Sequence, residues 1–104
     1  MEGFVKQSLL YDFYGDLLTE HQKHIYGLYV LDNLSLGEIA EDEGISRQGV
    51  HDIIKRCNTQ LEGYEAKLKL VEKFIGIRDK VESIQNCNEI EKARDLAKQI
   101  LEML

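Results

Sequence analysis

The segment from Ser35 to Ser46 constrains this fold more than any other part of the sequence, because it contains two helix starts and, between them, a glycine that can end a helix. Ser35 and Glu38 form a capping-box pattern, in which each side chain accepts a hydrogen bond from the other residue's backbone N–H. Gly44 stands where a left-handed residue would end that helix, and Ser46 can cap the next one. Two helices joined by so short a turn cross at a steep angle, which the small Ala40 permits. The segment predicts a helix-turn-helix.

Helical signals also fill the rest of the chain, which contains no proline. A first helix is predicted from about Phe4 to Gly15, and a second helix begins after a Thr19 cap and runs to about Leu31. Further helices are expected over 77–85 and after an Asn88 cap. The predicted fold class is therefore all-α: a helix-turn-helix without the β-wing of winged-helix proteins, a long recognition helix and a C-terminal helical extension.

The recognition helix begins at Arg47, and no strong stop signal follows before Gly76. Apolar residues along it alternate steps of four and three, which is the pattern of a heptad seam that packs on a partner helix. The seam consists of Val50, Ile54, Cys57, Leu61, Tyr64, Leu68, Val71 and Ile75. The C-terminal helices of the same chain or a second chain could cover it. We expect a homodimer through its later part, Leu61, Tyr64, Leu68 and Val71, and a domain division into 1–75 and 76–104.

The charge of the chain is distributed unevenly around a net value of −6. Residues 1–46 hold two basic and nine acidic residues, a balance of −7, and residues 75–104 hold five and six, a balance of −1. Residues 47–74 hold six basic and four acidic residues, a balance of +2. Because neutralisation of phosphate supplies most non-specific affinity for nucleic acids, the positive stretch that begins at Arg47 is where such binding is expected.

The start of the second helix of a helix-turn-helix enters the DNA major groove. Arg47 could bond guanine, Gln48 could bond adenine, and Lys55 could meet phosphate. The complete set of candidate nucleic-acid-binding residues is Ser46, Arg47, Gln48, His51, Lys55 and Arg56. A solvated helix face is an equally good interpretation, because Asp52 and the upstream acidic residues repel phosphate.

The residues give little support for RNA stacking, metal binding or catalysis. Six of the eight aromatic residues lie within the first 29 positions, where their helical spacing favours packing of two helices over stacking on RNA bases. His21 and His24 lack a third metal ligand, and Cys57 and Cys87 lack the close spacing of a zinc site. We therefore expect no metal or other cofactor, and the absence of a nucleophile or phosphate-loop motif predicts a protein that is not an enzyme. No membrane span or signal peptide is recognisable, so a cytoplasmic location is expected.

The segment 17–68 resembles region 4 of bacterial sigma factors, as in Ser35-Leu36-Gly37-Glu38-Ile39-Ala40-Glu41 and Gly44-Ile45-Ser46-Arg47. More closely, the chain resembles the YlxM-type family of small helix-turn-helix proteins in Tyr11-Asp12-Phe13-Tyr14, Leu17-Leu18-Thr19-Glu20, Tyr29-Val30-Leu31-Asp32 and Ile54-Lys55-Arg56. This resemblance implies a DNA-binding regulatory protein that acts in or regulates the signal recognition particle pathway, because genes of the family lie beside those of its GTPase and receptor. The alternative is a module that binds a protein or RNA of that pathway.

Overall fold

A computed structural model describes residues 3–104, apart from the side chain of Phe4, and all regular elements in this part of the chain are helices. The helices are α1 (Gly3–Tyr14), α2 (Glu20–Val30), α3 (Leu36–Glu43), α4 (Arg47–Leu68), α5 (Leu70–Gln85) and α6 (Ile90–Met103), with a 3₁₀ turn at Gly15–Leu17. The predicted all-α helix-turn-helix fold is confirmed. None of these helices is both long enough and apolar enough to cross a membrane.

The chain divides into two compact units, residues 1–68 with α1 to α4 and residues 69–104 with α5 and α6. This division lies earlier than the expected one after residue 75. The prediction of one uninterrupted helix from Arg47 to Gly76 is wrong, because Lys69 adopts the left-handed conformation (φ 55°, ψ 31°) and ends α4. A lysine in this conformation costs about 1–2 kcal/mol, so the tertiary structure overrides local helix propensity here.

Tyrosines hold the helices of the first unit together. Tyr14 and Tyr26 are buried, and their rings lie 6.1 Å from Tyr64 and 5.7 Å from Tyr11, respectively. The Tyr11 hydroxyl donates to the backbone oxygen of Lys23 at 3.1 Å. These contacts confirm that the N-terminal aromatic residues pack helices against one another; the side chain of Phe4, which belonged to the same prediction, lies outside the described residues.

In the second unit α5 and α6 pack side by side as an antiparallel hairpin. The Lys80 ammonium donates to Gln99 Oε1 at 2.7 Å. A Cβ atom at Gly76 would lie only 2.7 Å from Met103 Cε, so the glycine permits the close approach of the two helices. The predicted Asn88 cap is wrong by one residue: Glu89 occupies the N-cap position with extended backbone angles, and its side chain caps no N–H.

Candidate nucleic-acid interface

The turn between α3 and α4 has the local structure that its sequence dictates. Ser35 Oγ accepts the Glu38 N–H at 3.1 Å, and the Glu38 carboxylate accepts the Ser35 N–H at 3.1 Å. Gly44 is left-handed (φ 68°), and the Ile45 N–H that follows it donates to the Ala40 carbonyl at 3.2 Å. Together these bonds satisfy backbone groups at both ends of α3.

The start of α4 is fixed in the same way. Ser46 Oγ accepts the Gly49 N–H at 2.9 Å, as a helix N-cap does. Val50, one residue further along, and Ile39 of α3 are completely buried where the two helices cross. The predicted helix-turn-helix geometry is therefore set by two caps, one left-handed glycine and an apolar contact.

A polar cluster that the sequence analysis missed anchors the inner face of α4. Asn58 Oδ1 accepts hydrogen bonds from the Tyr26 hydroxyl and, at 3.4 Å, from Gln7 Nε2. Burial raises the pKa of Tyr26 well above its ordinary value, so its hydroxyl keeps the proton that it donates. Because Asn58 sits among polar residues in the sequence, only the three-dimensional placement of Gln7 and Tyr26 reveals its role.

A histidine–carboxylate contact links α3 to α2. His24 Nε2 of α2 contacts the Glu43 carboxylate at the last residue of α3. The two flanking elements, α2 and α3, thus hold the recognition helix from two sides, since α4 packs against both of them.

The structure exposes all six sequence-predicted nucleic-acid-binding residues on α4 and its cap: Ser46, Arg47, Gln48, His51, Lys55 and Arg56. Gln48 Nε2 donates to Asp52 Oδ1 at 3.0 Å, and His51 Nδ1 lies 3.6 Å from the same oxygen. Within residues 3–104, no side chain forms a hydrogen bond or ion pair with the cationic groups of Arg47, Lys55 or Arg56. This surface therefore combines three unpaired cations with an oriented amide.

Open grooves border this surface. One, of about 360 Å³, is lined by Leu36, Arg47, Gln48 and His51. A neighbouring one of about 230 Å³ shares Leu36 and His51 and continues to Lys55. The candidate side chains therefore stand beside free space that a ligand can enter.

The acidic residues of α3 lie close in sequence to this surface and differ in their roles. Glu38 is held in the capping box and Glu43 faces His24. Glu41 and Asp42 are exposed, and neither carboxylate hydrogen bonds to a described residue. Glu41 and Asp42 can therefore repel phosphate, and neither carboxylate contributes a hydrogen bond to the described fold.

The expected dimer seam needs correction. Leu61 and Val71 are buried in the single chain, so they offer no surface to a second one. Tyr64 is half-buried against Tyr14, and Leu68 alone is mainly exposed, at 54%. For Leu61 the physical reason is that α1, α2 and α3 of the same chain pack on α4 and cover its apolar side.

The remaining candidate ligands do not converge. Within the described residues, no three histidine, cysteine or acidic side chains come close enough together to hold a metal ion. Cys57 is buried, and burial raises the pKa of its thiol to about 11. Cys87 is half-buried, and its Sγ donates to the backbone oxygen of Glu89 at 3.1 Å.

Comparison with known proteins matches residues 1–102 to the family model described as "Putative helix-turn-helix protein, YlxM / p13 like", UPF0122. A UPF0122 protein of Caldanaerobacter subterraneus is 50% identical over 86 residues, covering 83% of this chain and 74% of that protein. One from Thermoanaerobacter sp. is 44% identical over 103 residues (99% and 88%), and one from Bacillus cereus is 43% identical over 105 residues (100% and 96%). The chain thus belongs to the UPF0122 family of YlxM- and p13-like helix-turn-helix proteins.

Proposed function

We propose that this protein is a DNA-binding regulator that places the first turns of α4 in the major groove, in the manner of sigma factor region 4. One observation carries the proposal: α4 packs its apolar side into the first unit, and the exposed side of its N-terminal half carries three cations that have no side-chain partner among residues 3–104. Cations that no carboxylate neutralises are available to phosphate and to base edges.

Each side chain has a chemical role in this proposal. Arg47, in the first turn of α4, donates to guanine O6 and N7, while Lys55 and Arg56 meet phosphate oxygens. Gln48 gives one amide hydrogen to Asp52 and keeps its other hydrogen and its oxygen for adenine N7 and N6. Asp52 thereby orients the Gln48 amide that contacts adenine, and its negative charge lowers the affinity of the surface for phosphate.

The test is binding to a fluorescent duplex of mixed sequence, followed by anisotropy over a range of salt concentrations. Because about three cations, Arg47, Lys55 and Arg56, release counterions from the duplex, the slope of log affinity against log salt is expected near −3. Arg47→Ala should lower affinity by about 1–3 kcal/mol and relax base preference, whereas Lys55→Ala should weaken all sequences alike. Lys67→Ala is the matched control, because it removes the same charge from the other end of α4. Equal effects of all three changes would contradict the proposed surface.

The acidic residues of α3 provide a second test of the same surface. Replacing Glu41 with Gln and Asp42 with Asn leaves the capping box and the His24 contact intact. Duplex affinity should rise, because two charges that repel phosphate are removed. Unchanged affinity would place the bound nucleic acid away from α3.

We further propose that the protein acts as a homodimer, since dimeric helix-turn-helix proteins read two half-sites one helical turn apart. The pathway that we propose for it, that of the signal recognition particle, is supported by the family resemblance alone. A module that binds a basic protein is the alternative, favoured by the balance of −7 in residues 1–46. If wild-type protein and the Glu41 and Asp42 variant both fail to retain duplex at low salt, the alternative replaces DNA binding.

A further inference from the structure

One face of α6, together with its C-cap residue Leu104, carries the three most exposed large apolar side chains of the described residues. Ile90, Leu101 and Leu104 are 67%, 71% and 77% exposed, and the exposed Ala97 lies between them. Their spacing of seven, four and three places all four residues on one side of a helix. We call these four residues the α6 stripe.

The packing of the hairpin explains why the stripe is uncovered. Gln99 and Met103 lie on the flank of α6 that meets α5, as their contacts with Lys80 and Gly76 establish. No residue of α6 is fully buried, although this helix separates its apolar and polar sides more strongly than any other helix of the chain. Its apolar side is therefore wider than one neighbouring helix can cover.

We propose that the α6 stripe binds the α6 stripe of a second copy of this chain in antiparallel orientation. The inference rests on the homodimer of the proposed function and names the surface that forms it. A contact of this kind is self-complementary, as a two-fold interface requires.

The charges of this region favour a second copy over a strongly charged partner. Helix α6 contains three basic and three acidic residues, and the second unit as a whole contains seven of each. Two copies therefore meet here without net repulsion, whereas the first unit carries six basic and twelve acidic residues. Net electrostatic repulsion between two copies therefore arises from their first units and not from α6.

The position of Arg94 beside the stripe favours the antiparallel arrangement. A two-fold axis at Ala97 sets Ile90 opposite Leu104 of the partner subunit, because each lies seven residues from the axis. Arg94 then lies within about 3 Å, measured along the helix axis, of the level of the partner's Glu102, whereas a parallel pair would set it level with the partner's Arg94. The small alanine at the axis allows the two helices to approach closely.

The size of the surface sets the expected strength. Four partly exposed side chains from each copy bury roughly 800 Å² in total, which is below the roughly 1,200 Å² of stable interfaces and in the range of weak, transient ones. The dimer should therefore dissociate in the micromolar range.

Sedimentation of the full chain between about 1 and 500 μM tests this surface. Wild type should show a reversible monomer–dimer equilibrium, and Leu101→Asp should weaken it at least about tenfold, because a carboxylate would be buried without a partner. Leu31→Asp is the matched control, since Leu31 is a similarly exposed leucine (57%) in the first unit, and it should leave the equilibrium unchanged. Monomeric wild type, or equal effects of the two changes, would overturn the inference.

Disulfide trapping then tests the orientation in a Cys87→Ser background. Ala97→Cys should form a cross-linked dimer under mild oxidation, because an antiparallel pair brings the two Cα atoms near the axis. Ile90→Cys should not cross-link with itself, since the two copies would lie about 21 Å apart along the helix axis. Efficient cross-linking of Ile90→Cys, or none of Ala97→Cys, would overturn the antiparallel pair. Duplex binding by the Leu101→Asp variant, measured separately, decides the DNA proposal independently of either result, because the proposed DNA surface lies on α4 of a single chain.

Discussion

Replacing Gly44 with alanine should destabilise the first unit without any steric clash. The residue is left-handed at φ 68°, and a Cβ atom added there would meet no heavy atom within 4 Å. The expected loss is therefore the conformational cost alone, about 1–2 kcal/mol. For a unit of this size each 1 kcal/mol corresponds to a fall in Tm of about 4–8 °C.

The chain provides a matched control and a selective probe for this measurement. Gly63→Ala makes the same chemical change on the exposed surface of α4, where a Cβ atom also meets nothing. It should raise stability by about 0.5–1 kcal/mol, because alanine favours the helix interior. All five tyrosines lie within residues 1–68 and the chain has no tryptophan, so intrinsic fluorescence reports on the first unit alone. If the Gly44→Ala variant has a Tm equal to or above that of wild type, the left-handed conformation assigned to Gly44 is wrong.

Three further predictions test other parts of the fold. Ser46→Ala should cost about 1 kcal/mol in urea unfolding followed by tyrosine fluorescence, because it removes the oxygen that caps Gly49 N–H; an unchanged midpoint would contradict the cap. Leu61→Ala should cost about 2–5 kcal/mol and the exposed Leu68→Ala under about 1 kcal/mol in the same assay, and equal costs would contradict burial of the seam. Since burial raises the Cys57 pKa to about 11, its stabilising contribution is complete below pH 9 and is lost as pH rises toward 11. Between pH 9 and 11 the urea midpoint, followed by circular dichroism, should therefore fall less steeply in Cys57→Ala than in wild type. Parallel curves for the two proteins would refute the raised pKa of Cys57.

Local signals in the sequence predicted the parts of the fold that local chemistry determines. The capping box at Thr19 and the stop at Gly44 both lie where the pattern placed them, because a side-chain oxygen or a missing Cβ decides the backbone within one turn. The exposure of Arg47 was expected from its place at the start of the second helix of the helix-turn-helix. Of these residues, Arg47 belongs to the candidate interface, and Gly44 forms the turn that precedes it.

Features that depend on distant residues were not predictable. No glycine, asparagine or proline stands at Lys69 or next to it, so no local signal in the sequence marks the end of α4. The heptad pattern around Leu61 identified an apolar face correctly but could not say which helix covers it. The role of Asn58 depends on Tyr26 and Gln7, which are 32 and 51 positions away in the chain.

The most direct test of the central claim is an amide chemical-shift titration of the full chain with a mixed-sequence DNA duplex at low salt. The proposed function predicts that the largest changes fall on residues 46–56, with small changes on the outer face of α2 around Glu20. Large shifts on α2 with none at the start of α4, or no shifts at all at saturating duplex, would contradict DNA binding by the helix-turn-helix.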